Sequence, residues 1–209
     1  NKVVLGEYEG GYIKGEAVPA YRSEPDARRS SRTETFAAIK VEIDNWRWSG
    51  VPFYLRTGKR LTAKKSEINI HFKAQPHNIF RATYAQLPPN TLTIRLQPDE
   101  GIEMQMVNKV PGITEISRIQ KNTLDLSFSE TFEDARIVDA YERLLLAVMD
   151  QNQSLFVRRD EVEQAWRWID QILEAWEKTG GKPDSYPAGS WGPTSSISLI
   201  ARDHRQWDE

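Results

Sequence analysis

Five cations crowd into positions 56–65: Arg56, Lys59, Arg60, Lys64 and Lys65, with no acidic residue among them. The chain as a whole is nearly balanced, with 28 Lys+Arg against 30 Asp+Glu and a formal net charge of −2, so the local excess needs a reason. A lysine ammonium is a compact point charge well suited to phosphate. Lys59 and Lys64 are the two that a loop at the end of a strand could aim at a small phosphorylated ligand. A solvated turn beside a sheet accounts for the same charges, because charge runs are commonly solvated surface. A nucleic-acid patch is the weakest of the three readings, since the rest of the chain carries no basic excess.

Other reactive side chains are sparse. The only histidines are His71, His77 and His204. None is paired with a nearby carboxylate in sequence, and no HxxxH or HExxH spacing supports a metal site. No residue is therefore assigned a catalytic role, and no metal is expected. The absence of cysteine excludes disulfides and thiolate metal sites and fits a reducing cytosol, so a cytoplasmic location is expected. No G-x-G-x-x-G follows a strand-like run, and Gly58-Lys59 lacks the earlier glycine and the following Ser/Thr of a phosphate-binding P-loop. No apolar run approaches the ~18 residues of a membrane helix and no signal-peptide pattern opens the chain, so neither membrane nor nucleic acid is an expected partner.

The elements that must position the cations can be read from periodicity. Val51, Phe53, Tyr54 and Leu55 favour a pleated, half-buried surface, with Pro52 near the start of the strand and Thr57-Gly58 ending it. Period-two alternation marks further strands over 37–43, 67–73, 92–97, 102–106 and 124–128, and the short run 197–200 would add a seventh. One apolar and one polar face per strand is the pattern of an antiparallel sheet covered on one side. Three- and four-residue spacing predicts helices over 134–149 and from about 160 to 179, the second opened by Asp160 and Glu163 as a capping box and closed by Gly180-Gly181. Its stripe of Val162, Trp166, Ile169, Leu173 and Trp176 reads as core. Residues 1–34, rich in glycine and proline, read as a connector whose Tyr8, Tyr12 and Tyr21 could pin it to the body. Strands first and helices after indicate α+β: a large, mostly antiparallel sheet with one face covered by helices.

DNWRWSGVPFYLRTGKRL (44–61) resembles the signature of glucose-6-phosphate dehydrogenases, from the half of the enzyme that follows the nucleotide-binding domain. IRLQPDEGI (94–102), DAYERLLL (139–146), FVRRDEVEQAW (156–166) and YPAGSWGP (186–193) continue the likeness in the family's order. The resemblance implies a C-terminal domain of the bacterial type, 35–209, that completes the substrate site and dimerises, with 1–34 leading in from an upstream domain. Its family oxidises glucose 6-phosphate at C1 to 6-phosphogluconolactone in the pentose phosphate pathway, with a histidine as general base and hydride passing to NADP or NAD. The glycine-rich motif, that histidine and most sugar contacts belong to the upstream domain, so this chain alone is expected to be inactive. Two basic residues five positions apart reach the sugar phosphate in the family; they match Lys59 and Lys64, and Gln97 is a further candidate for the same ligand. Some mammalian relatives hold a second, structural NADP, at positions that match Lys65 and Arg95. Glu103 and Gln105 stand here where those relatives have tyrosine and lysine, and an anion beside a pyrophosphate argues against that site. The family's subunit interface is the large sheet, which implies a homodimer, with dimers able to pair into tetramers. A non-catalytic module for an anionic ligand and a purely structural oligomerisation domain are the rival readings.

Overall fold

The five period-two stretches over 37–43, 67–73, 92–97, 102–106 and 124–128 become strands, as does the run after Val51. In the computed structural model, which describes residues 2–208 except 82, 86, 113–117 and 133–139, they are β4 (Phe36–Glu42), β5 (Pro52–Gly58), β6 (Ser66–His71), β7 (Thr91–Gln97), β8 (Gly101–Lys109) and β9 (Ile119–Ser127). The protein is α+β. Its described strands are shared between two four-stranded sheets and a two-stranded hairpin, and the chain divides into two compact units, Asn1–Ala63 with Phe156–Glu209 and Lys64–Leu155.

The first unit is built on β1 (Val3–Glu9), which the composition of 1–34 disguises as a loop. β1 is an inner strand of the order β10-β1-β4-β5, antiparallel to β4 and parallel to β10 (Asp184–Pro187). Residues 1–34, read as a connector without periodicity, thus include a strand of the first sheet. Leu5 and Tyr8 are buried, and Gly6 breaks the alternation where a side chain would approach the Asp184 carbonyl and Pro193, the usual meaning of glycine inside a strand. The same segment forms a hairpin, β2 (Gly11–Ile13) with β3 (Glu16–Val18). Lys14 and Gly15 at its tip both have positive φ, 52° and 86°, the type I′ arrangement that matches strand twist. Tyr8 and Tyr21 do anchor the segment, Tyr8 edge-to-face with Tyr186 at 6.3 Å and Tyr21 packed against the same core, whereas Tyr12 is exposed.

The core of this unit is Tyr8, Phe36, Ala38, Tyr186 and Ala188, with Val4, Val18, Tyr21, Leu61 and Trp207 packed against it. Register explains the cluster: Gly6 faces Phe36, Phe36 faces Gly58, and Tyr8 faces Tyr186. The run 197–200 is not a seventh strand but part of helix α4 (Thr194–Ala201). Three apolar residues around Ser198 cannot distinguish the two states by period. Burial of Ser196, Leu199 and Ile200 at three- and four-residue steps decides for helix, and α4 packs on β1 and β4.

The N-cap of helix α3 (Arg159–Lys178) is Arg158, two residues before the expected cap Asp160. Glu161, not Glu163, reaches back to accept the Arg158 N–H at 3.0 Å, while Glu163 takes the Arg159 guanidinium at 2.7 Å. Gly180 and Gly181 close the helix by donating to the carbonyls of Glu177 (2.9 Å) and Trp176 (3.1 Å), a Schellman arrangement. Its apolar stripe is not core: α3 has no buried residue, and Trp166 is 60% exposed. Helical spacing shows that one face is apolar, not that something covers it.

The second unit is an antiparallel meander, β6-β7-β8-β9, followed by the single turn α1 (Phe128–Thr131) and by α2 (Ala140–Met149). The expected start of the last helix at 134 lies outside the described residues. Register places Ile68, Ile94, Ile102 and Leu126 in one row and Glu67 opposite Arg95 in the next. One face is thus apolar and the other charged.

Candidate functional site

The five cations of 56–65 are chemically alike in sequence; packing separates them. Arg56 is held between two tryptophans, its guanidinium carbon 4.9 Å from the Trp191 ring centre and 4.7 Å from that of Trp207. It also donates to the Asp208 carbonyl at 3.0 Å. Arg60 donates to Glu24 Oε1 at 3.1 Å, and Lys65 lies 2.8 Å from Glu67 Oε1. Arg56 therefore fastens the C-terminal residues onto β5 through cation–π contact, and the other two are neutralised by carboxylates. Lys59 and Lys64 remain, both exposed and without an ion pair among the described residues.

The main chain beneath Lys59 is fixed at both of its polar groups. Its N–H donates to the Thr35 carbonyl at 2.7 Å, and its own carbonyl accepts the Tyr186 hydroxyl at 2.8 Å. The next residue, Arg60, takes a positive φ of 53°, and its carbonyl accepts the Gly189 N–H at 2.8 Å. Thr62 Oγ1 then returns a hydrogen bond to the Gly189 carbonyl at 2.9 Å. β5 thus ends in a turn tied back to 186–189, and the Lys59 side chain leaves from a rigid point.

Lys64 opens the second unit. Pairing of β6 with β7 sets Ser66 opposite Gln97, so the structure brings exposed Gln97 to the strand start that follows Lys64. Lys59 belongs to the first unit. Lys65 and Arg95 are committed to the charged face of the second sheet. Arg95 makes a two-pronged contact with Asp125, at 2.6 and 3.2 Å, and lies 3.5 Å from Glu103. Gly101 leaves room for it, since a methyl there would meet the guanidinium at 2.6 Å. The Arg95 hydrogen bond, aided by its charge, holds the Asp125 carboxyl below the usual carboxylate range.

Elsewhere the titratable groups serve the fold. Tyr54 donates to Asp203, whose carboxylate also takes the Lys40 ammonium at 2.8 Å. Burial first, then the hydrogen bond to Asp203, pushes the Tyr54 phenol up to about 12. His71 and His77 are exposed. Among the described residues no cluster of three histidine, aspartate or glutamate side chains could hold a metal, and no helix is long and apolar enough to cross a membrane. Sequence reasoning missed Thr35 and Tyr186. A tyrosine before a proline carries no sign that its hydroxyl ends on a carbonyl 127 residues away.

Comparison with known proteins agrees with this architecture. The family described as glucose-6-phosphate dehydrogenase, C-terminal domain, matches residues 1–208. The glucose-6-phosphate 1-dehydrogenase of Dickeya dadantii (strain 3937) is 55% identical over 99% of this chain and 42% of its own length. That of Rhizobium meliloti (strain 1021) is 53% identical over 99% and 41%. A solved glucose-6-phosphate dehydrogenase in complex with its substrate glucose-6-phosphate superposes with a TM-score of 0.85 at 32% identity, covering 99% of this chain and 41% of that one. The chain thus spans about two fifths of the length of the curated relatives it matches. A whole-length family match, these relatives and a shared fold together place the chain in the C-terminal domain family of glucose-6-phosphate dehydrogenase.

Proposed function

We propose that this chain is the substrate-completing part of a glucose-6-phosphate dehydrogenase, which oxidises glucose 6-phosphate to 6-phosphogluconolactone while NADP is reduced. In this reading Lys59 contacts the sugar phosphate, and Lys64 and Gln97 of the second unit are kept as substrate-contact candidates on the family resemblance alone. The observation that carries the assignment is the fixed main chain under an exposed, unpaired Lys59 ammonium. A charge presented from a rigid turn loses less freedom on binding than one on a mobile loop, and charge-assisted hydrogen bonds to an anion are among the strongest available. Orientation of the phosphate fixes the far end of the sugar, and with it the approach of C1 to the hydride acceptor.

In this reading the general base and the dinucleotide contacts belong to the rest of such an enzyme, of which this chain spans about two fifths of the length, and the chain by itself does not turn over substrate. Lys65 and Arg95 do not fit a second dinucleotide. Each already faces a carboxylate, Glu67 for Lys65 and Asp125 for Arg95, and a pyrophosphate there would meet those anions. Their role in this reading is to hold the second sheet together.

The expected effect of Lys59→Ala, made in the complete gene product that carries this chain, is a loss of about tenfold to a hundredfold in kcat/KM for glucose 6-phosphate. The KM for NADP should stay within about twofold. Steady-state kinetics with each substrate varied in turn decide it, and an unchanged kcat/KM removes Lys59 from the site.

Self-association through the second sheet completes the proposal. Its apolar face leaves Ile68, Leu96, Leu124 and Leu126 between 45 and 59% exposed, a contiguous surface of the kind that marks interfaces. Light scattering of the 24.1 kDa chain is expected to show about twice that mass at micromolar concentration. A monomer retained throughout would refute this interface.

A further inference from the structure

The phosphate-contact reading uses the ammonium of Lys59 and none of the buried groups beneath it. Tyr186 is the bulkiest of the fully buried side chains, 1% exposed. Its ring is confined by Phe36 at 5.5 Å and Tyr8 at 6.3 Å. Its hydroxyl oxygen lies 2.8 Å from the Lys59 carbonyl, 3.1 Å from Thr35 Oγ1 and 3.2 Å from the Thr35 carbonyl.

A phenol has one proton to donate, and the nearest acceptor is the Lys59 carbonyl. Thr35 Oγ1 accepts the Tyr8 N–H at 3.0 Å, which leaves the threonine proton directed to the tyrosine oxygen. The result is a buried relay: Tyr8 N–H to Thr35 hydroxyl, Thr35 hydroxyl to Tyr186 hydroxyl, Tyr186 hydroxyl to Lys59 carbonyl. The Lys59 N–H closes it by donating to the Thr35 carbonyl at 2.7 Å. Such chains polarise one another in a low-dielectric interior, and each member is costly to leave unpaired. The relay starts on an inner strand of the first sheet and ends at the residue that the site needs.

We infer that Tyr186 is a positioning residue for Lys59: its hydroxyl fixes the peptide plane from which the lysine side chain departs, so that the ammonium meets an incoming sugar phosphate already placed. The inference rests on the reading of Lys59 as a phosphate contact. Arg60, held at positive φ by Glu24 and by Gly189, keeps the following peptide from relaxing the turn. Burial raises the Tyr186 phenol above its ordinary range, which favours the protonated, donating form.

The test is a double-mutant cycle in the complete gene product, with wild type, Tyr186→Phe, Lys59→Ala and the double variant assayed by steady-state kinetics. Tyr186→Phe keeps the ring and removes only the donor. It is expected to raise the KM for glucose 6-phosphate about fivefold, with the KM for NADP unchanged. In the Lys59→Ala background the same change should add nothing to KM, because no ammonium is left to misplace. A merely structural tyrosine would lower the Tm and leave the ratio of the two KM values alone, which overturns the inference, as would full additivity in the cycle. If Lys59→Ala itself leaves kcat/KM intact, the phosphate-contact reading fails and this inference falls with it. That result is distinct from an impaired Lys59→Ala beside an inert Tyr186→Phe, which sinks the positioning role alone. Should Tyr186→Phe not fold, Thr35→Val removes the relay's preceding donor. It is expected to raise the same KM in the same direction, about twofold, and an unchanged value overturns the inference.

Discussion

Phe36→Ala is expected to lower the stability of the protein by about 3–5 kcal/mol, read as a fall in the urea midpoint at unchanged slope. The ring is 1% exposed and sits in the middle of the first sheet, paired across β1 with Gly6 and across β5 with Gly58. Methyl groups added at Gly58 and Gly192 would come within 2.8 and 2.3 Å of its ring carbons, and the Tyr186 ring centre is 5.5 Å away. Removing it loses the transfer energy of a large aromatic and leaves a cavity that close-packed β1, β4 and α4 cannot collapse into without shifting the sheet. Phe36→Leu, which keeps most of the volume, should cost about 1 kcal/mol. Equal losses for the two variants would mean that the site is not packed as described.

The second large effect is expected at Gly192, in the turn that leads into α4. Its φ is 107°, and a methyl there would lie 2.3 Å from Phe36 Cε2. Gly192→Val therefore combines backbone strain of about 1–3 kcal/mol with an overlap of about 1–3 kcal/mol or more. Soluble yield and denaturant midpoint should both drop, by an amount comparable to Phe36→Ala. The two contributions can be separated. Combining Gly192→Val with Phe36→Leu relieves the overlap but not the strain, so the double variant should be more stable than the sum of its parts predicts. Strict additivity would show that the ring and the turn do not meet.

Both predictions concern the scaffold under Lys59, and they bear on function through it. The glycines at 58 and 192 admit Phe36, Phe36 confines Tyr186, and Tyr186 reaches the Lys59 carbonyl. A core substitution that leaves the protein folded but loosens this stack should be felt at the basic turn before it is felt in the second sheet.

Much of this protein is legible without coordinates. Alternation of side chains and strand propensity are local properties of an extended chain, so β4 and β6 to β9 could be read from alternation and β5 from its residue types. The same holds for the cluster of cations after β5 and for the family signature that begins at Asp44. β1 was not legible, because Gly6 interrupts its alternation at a close approach to the Asp184 carbonyl and Pro193 and the glycines and prolines around it read as irregular chain. Helix α4 was misread because Ile197, Leu199 and Ile200 carry too little period to separate strand from helix.

The α+β class, the family signature and the charge of the turn at 56–65 follow from residues close together in the chain. Which of those cations are available depends on contacts between distant residues. Arg56, Arg60 and Lys65 are taken up by Trp191 and Trp207, Glu24 and Glu67, and Lys59 is left exposed on a main chain held by Thr35 and Tyr186. The reason is one of range. Propensity and alternation act between neighbours in the chain, whereas an ion pair, a cation–π clamp or a buried hydroxyl is specified by residues that meet only when the sheet has formed.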